Sequence, residues 1–153
     1  MIDIFFENVS MDKRSEIKSI IKNTIHFVVK ELKIKKNFYI SVLVTNNLKI
    51  KEINYQYRKI NKETNVLSFN QNEERILDNK NLFIVLGDIV ISVEKIISES
   101  REQKKKFKEH LVHMIVHSFL HLSGYSHDSK KDSELMEKKE ISILSKLSIP
   151  SPY

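Results

Sequence analysis

The chain of 153 residues contains no cysteine. That removes disulfides, thiolate metal sites and cysteine nucleophiles, and a reducing compartment is the simplest setting. Proline occurs only as Pro150 and Pro152. The body of the chain therefore has no proline punctuation, and element boundaries must come from periodicity. Glycine occurs only as Gly87 and Gly124. Long apolar runs are also missing, since no segment approaches the roughly 18 residues of a membrane span. The opening MIDIFFENVS has neither a basic start nor a cleavable apolar run, which argues against a signal peptide. The expectation is a soluble cytoplasmic protein with no membrane partner.

What is present fits a globular chain. Apolar residues make up 41% of the sequence, and the length suits one domain with a real core. Residues 1–149 are read as that domain and residues 150–153 as a short C-terminal tail. The formal charge is +6, with lysines clustered at 30–36 and 104–108. A basic balance favours polyanionic partners, nucleic acid first; a solvated basic face is the plain alternative.

Periodicity predicts strands at 2–7, 38–45, 65–69 and 83–92. Helical spacing covers 10–33, through Ile17, Ile20, Ile21, Ile25, Val28, Val29 and Leu32, with Ser10 as its cap. Further helices are expected at 48–60, from 93 to 123 with a break near the lysines at 104–106, and at 129–147. A polar loop is expected at 70–81. The order β-α-β-α-β-β-α-α-α implies an α/β single domain, a mixed sheet of about four strands packed with about five helices. Gly87 interrupts a strand, where glycine marks a bulge or a close backbone approach. Gly124 stands where a helix should stop in a left-handed conformation.

The densest chemistry lies in residues 113–128, HMIVHSFLHLSGYSHD, which hold four of the six histidines. His117 and His121 lie one helical turn apart on one face. After the turn at Gly124, His127 can swing back as a third ligand. Three nitrogens and an open position describe a catalytic zinc-type site, one ion per chain, with water in the fourth place. Other divalent ions also accept imidazole. A metal there would lower the pKa of its bound water. His113, one turn before His117, fits best behind the ligands rather than among them. His26 and His110 read as surface or hydrogen-bonded core residues. Asp128 or Ser129 is expected to cap the last helix, with Asp132 in its first turn. Ser118 follows His117 where zinc peptidases of the HExxH type carry glutamate, so that general base is missing.

These residues resemble the YbeY family of metal-dependent endoribonucleases, whose signature is similar to H-G-x-L-H-L-x-G-Y-D-H. The match here is HSFLHLSGYSH at 117–127. RKINKETNVLSF (58–69) resembles the family's arginine followed by T-D-V-L-S-F, and LGDIVIS (86–92) its G-D-I-x-I-S strand. The resemblance implies His117, His121 and His127 as metal ligands and Arg58 as the catalytic arginine. It also implies hydrolysis of single-stranded RNA in small-subunit (16S) rRNA 3′-end maturation and ribosome quality control. The small ribosomal subunit is then a partner, and DNA is not. A guanidinium is permanently charged and grips phosphate through two parallel N–H bonds. Ser118, Ser126 and Asn65 depart from the pattern. The serine hydroxyl at 118 should narrow the space beside the metal or bond back to the helix; the other two changes remove acidic groups near the site. Two other classes stay open to the sequence: a metallohydrolase acting on a non-RNA substrate, and a ribosome-associated RNA-binding module with a structural metal.

Overall fold

The computed structural model describes residues 1–77 and 81–153. Within them the chain runs β1 (Ile2–Phe6), α1 (Met11–Glu31), β2 (Asn37–Thr45), α2 (Asn47–Arg58), β3 (Val66–Leu77), β4 (Asn81–Ser92), α3 (Val93–Glu102), α4 (Phe107–Leu122) and α5 (Lys130–Lys146). The strands form one mixed sheet in the order β1-β2-β4-β3. β1, β2 and β4 are parallel, and β3 is antiparallel to β4 at an edge. The described residues thus make the single-domain α/β fold that the alternation implied.

Side chains alternate across the sheet. Ile40, Val42 and Val44 of β2, with Ile89 and Ile91 of β4, join α1, α4 and α5 in the main core. Leu67 and Val90, direct cross-strand partners, face the other way and meet Ile50 and Ile53 of α2. α4 is the central helix of the main layer, with α1, α3 and α5 packed about it. Leu111, Ile115, Val116, Phe119 and Leu120 leave it no exposed apolar face. A helix apolar over most of its surface is buried. Its histidine end is where polar chemistry meets that core.

Three features differ from the sequence expectation. First, residues 70–77 are strand rather than loop, because β3 continues past Phe69 along β4. Residues 78–80 of the expected loop lie outside the described residues. A bulge between Asn70 and Glu73, with Asn72 at φ +49°, hides the period-two pattern. Asp88 steadies the bulge, accepting hydrogen bonds from Gln71 Nε2 at 2.7 Å and from the hydroxyl of Ser41. Exposed Glu73, Glu74 and Arg75 then blunt an edge strand with charge. Second, α2 stops at Arg58 because Lys59 takes a left-handed conformation, φ +60°. Third, Ser10 stands at the N-cap of α1, but its hydroxyl bonds the Asp12 carboxylate and makes no cap bond to the backbone. The expected break before α4 is present, with left-handed Lys104 at φ +53°.

Gly87 is required by contact. A Cβ built there would lie 2.1 Å from the Phe69 carbonyl oxygen and 3.0 Å from Leu122 Cδ2. Its φ of +144° also disfavours L side chains. The glycine therefore lets β3, β4 and the end of α4 close together, which sets one wall of the cleft described next.

Candidate metal centre and cleft

The end of α4 is a Schellman turn. Gly124 N donates to the His121 carbonyl at 3.1 Å and Tyr125 N to the Leu120 carbonyl at 3.0 Å. Gly124 supplies the left-handed step, φ +104°. The reversal brings His127 back over α4. His117 Nε2 then lies 3.1 Å from His121 Nε2 and 3.4 Å from His127 Nε2. Tetrahedral zinc with bonds of about 2.0–2.1 Å holds its nitrogen ligands about 3.3 Å apart.

Proton accounting explains why these nitrogens would take a cation. His121 Nδ1 faces the Tyr125 carbonyl at 3.1 Å, and a carbonyl only accepts. Nδ1 must therefore carry the hydrogen. Burial, then the neighbouring His117 and His127 rings, push the His121 pKa below its ordinary value, so the ring is neutral and Nε2 is a bare lone pair. His117 Nδ1 donates to Glu140 Oε1. Burial alone would raise the Glu140 pKa, but hydrogen bonds from His113, His117 and Tyr153 outweigh it and bring it to about 2. Glu140 is thus ionised and acceptor-only, so His117 Nδ1 carries the hydrogen it donates, and the ring's other nitrogen, Nε2, is the one turned toward His121. The two Nε2 atoms stand 3.1 Å apart, a separation that a shared cation would bridge. The donor set fits a divalent ion that takes imidazole nitrogen.

The three imidazoles share an open cleft of about 580 Å³ with Arg58, Asn65, Ser68 and Ser126. Arg58, at the C-terminal end of α2, reaches the β3 edge. Its Nη2 donates to the Ser68 carbonyl at 2.9 Å, and its guanidinium lies 5.4 Å from the Phe69 ring centroid. Asn70, on the same wall, donates through Nδ2 to the His121 carbonyl at 3.1 Å. The sequence-predicted residues His117, His121, His127 and Arg58 are therefore brought to one cleft.

Around them the sequence reading holds in part. His113 lies behind His117, with Nε2 3.1 Å from Glu140 Oε2. His26 is exposed, and His110 is buried against Glu99 at 3.1 Å. Ser129 caps α5, accepting from Asp132 N at 3.0 Å. Ser118 neither narrows the cleft nor bonds back to the helix. It turns into the core with no exposed surface, and its hydroxyl has no hydrogen-bond partner among the described residues. Asn65 does more than remove a charge: its amide donates to Glu99 Oε1 at 3.0 Å, where a second carboxylate would be repelled. Glu140 was missed by the sequence reading. Its signal is an acidic residue in the otherwise apolar stripe Met136, Ile143 and Leu144 of α5.

Three nitrogen donors at the floor of a solvent-open cleft are the arrangement of a metal-binding site with room for a further ligand. The family model described as endoribonuclease YbeY matches residues 3–148, and the chain belongs to that family. An endoribonuclease YbeY of Ruthia magnifica subsp. Calyptogena magnifica is 43% identical over 133 residues, covering 87% of this chain and 88% of that one. The endoribonuclease YbeY of Bartonella henselae is 37% identical over 153 residues, covering 99% of this chain and 96% of that one. A Thermotoga maritima protein solved in solution is 27% identical with a TM-score of 0.61, across 100% of this chain and 96% of that chain.

Proposed function

We propose that this protein is a single-strand-specific, metal-dependent endoribonuclease. In this reading it acts in 3′-end maturation of small-subunit (16S) rRNA and in ribosome quality control, with the small ribosomal subunit as partner. It works in the cytoplasm as one domain, residues 1–149, with a short tail at 150–153. Among the described residues no helix is long and apolar enough to cross a membrane, which is compatible with that setting.

His117, His121 and His127 hold one Zn²⁺ or a similar divalent ion. When bound, such an ion activates a water and polarises a phosphate oxygen. The chain's own residues do the rest. Glu140 and the Tyr125 carbonyl keep the Nδ1 hydrogens of His117 and His121 turned away from the ion. Arg58 grips the scissile phosphate and offsets the charge that grows on its oxygens. Its reach is fixed by the Ser68 carbonyl and the Phe69 ring. Hydrolysis adds water across one P–O bond and leaves a phosphate monoester on one fragment and a hydroxyl on the other.

The observation that carries this reading is the convergence of three Nε2 atoms in a cleft whose rim is Arg58. The test is cleavage of a single-stranded ribosomal RNA fragment by Zn²⁺-loaded protein, with His121→Ala and Arg58→Ala in parallel. Wild type should cut while both folded variants fail. Equal cleavage by all three would place the activity outside this cleft.

A further inference from the structure

Glu140 has no exposed surface, yet three groups from two segments, α4 and the C-terminal tail, meet it. His117 Nδ1 bonds Oε1; His113 Nε2 at 3.1 Å and the Tyr153 hydroxyl at 2.7 Å both meet Oε2. Residues 149–152 run along α4 beside His110 and His113, and this path delivers Tyr153 to the carboxylate. The Tyr153 ring stands edge-on to His113, with centroids 6.2 Å apart and planes at 86°. His113 and Tyr153 together fix Oε2. The carboxylate plane is then set, and Oε1 has one direction left, toward His117.

A buried carboxylate is costly unless its lone pairs are satisfied. Removing the tyrosine hydroxyl would strip one donor from Oε2 and free the carboxylate to rotate or to admit water. Rotation would release the His117 ring, whose Nε2 is the atom shared by both close nitrogen contacts of the centre.

We propose that Tyr153 is a positioning residue for the three-histidine centre. By donating to Glu140 Oε2 it locks the carboxylate that aims His117, so docking of residues 150–153 and occupancy of the centre by a divalent cation are thermodynamically linked. The proposal rests on the reading of His117, His121 and His127 as the ion's ligands. Linkage is reciprocal: an ion that needs His117 aimed must favour the docked segment by the same factor.

The test measures Zn²⁺ affinity by competition with a chromophoric chelator. Wild type, Tyr153→Phe, Glu140→Gln and the double variant are compared, with His121→Ala as control. Phenylalanine keeps the ring against His113 and removes only the hydroxyl. Changes to groups behind metal ligands weaken affinity by about 10- to 100-fold. The expected result for Tyr153→Phe is a loss of about 10-fold, with the absorption bands of the Co²⁺-substituted protein shifted. In the Glu140→Gln background the same substitution should have almost no further effect. Affinity within about two-fold of wild type in Tyr153→Phe overturns the proposal, and this single variant decides it even where Glu140→Gln folds poorly. An equal loss in both backgrounds also overturns it, because the hydroxyl would then act without Glu140. If His121→Ala binds Zn²⁺ as tightly as wild type, the underlying ligand assignment has failed instead.

Discussion

His117 and Glu140 face each other across the α4–α5 contact, the imidazole Nδ1 donating to a carboxylate with no exposed surface. One bond thus couples the polar end of the central helix to the middle of α5. It also gives a pH signature. The folded-state pKa of Glu140, about 2, is depressed below its ordinary 4.5. A depressed carboxyl contributes stability that is fully present above the unfolded value and lost as pH falls through the folded one. The metal-free protein should lose stability between about pH 4.5 and about pH 2 through this group. Urea unfolding at pH 5 and pH 3 should show a smaller difference for Glu140→Gln than for wild type. Equal differences would refute the assignment.

Arg58→Lys keeps the charge and loses the planar fork. Lysine is a point charge that cannot bond the Ser68 carbonyl and a phosphate in the same geometry. Cleavage should fall by about 100-fold, in line with removal of a preorganised charge stabiliser. Zn²⁺ affinity should be unchanged, because Arg58 makes no bond to the imidazoles. Turnover and chelator competition on one preparation check both halves.

Gly87→Ala should be among the most damaging single substitutions. The added Cβ meets a backbone oxygen at 2.1 Å, and backbone cannot swing aside as a side chain can. A loss of about 3–5 kcal/mol is expected, a fall in Tm of about 10 °C. Differential scanning fluorimetry measures it directly.

Gly124→Ala separates backbone strain from crowding. Nothing lies within 4 Å of the added Cβ, so only the left-handed φ of +104° penalises it. Stability should drop by about 1 kcal/mol. Zn²⁺ affinity should drop by at least about 10-fold, since this turn carries His127 and presents the Tyr125 carbonyl to His121. A stability loss with unchanged affinity would show that the turn does not set the ligand geometry.

Much of the centre is legible in the sequence because it is local. His117, His121 and His127 fall within eleven consecutive residues, and a helix, a glycine and a turn suffice to converge them. Arg58 is legible only through its resemblance to a family block; no periodicity ties residue 58 to residue 117. Glu140 escapes because one of four acidic residues among the five lysines of α5 reads as surface. Only the burial of Met136, Ile143 and Leu144 on its face reveals otherwise. The outer half of β3 escapes for a different reason. An edge strand needs one buried face at most, and the bulge at residues 71–72 resets what alternation remains. Tyr153 carries no pattern at all: its role depends on where the preceding prolines send the chain.

The cleft has two walls of different ancestry along the chain. One is the contiguous run from His117 to His127; the other, with Arg58 and β3, comes from well upstream in the chain, before β4 and α3. Asn70 donating to the His121 carbonyl at 3.1 Å is a direct tie between them. Under the proposed reading, loading and turnover are therefore separable traits. A lesion along β3 could leave the chain saturated with metal and inert, so metal content would be a poor index of competence.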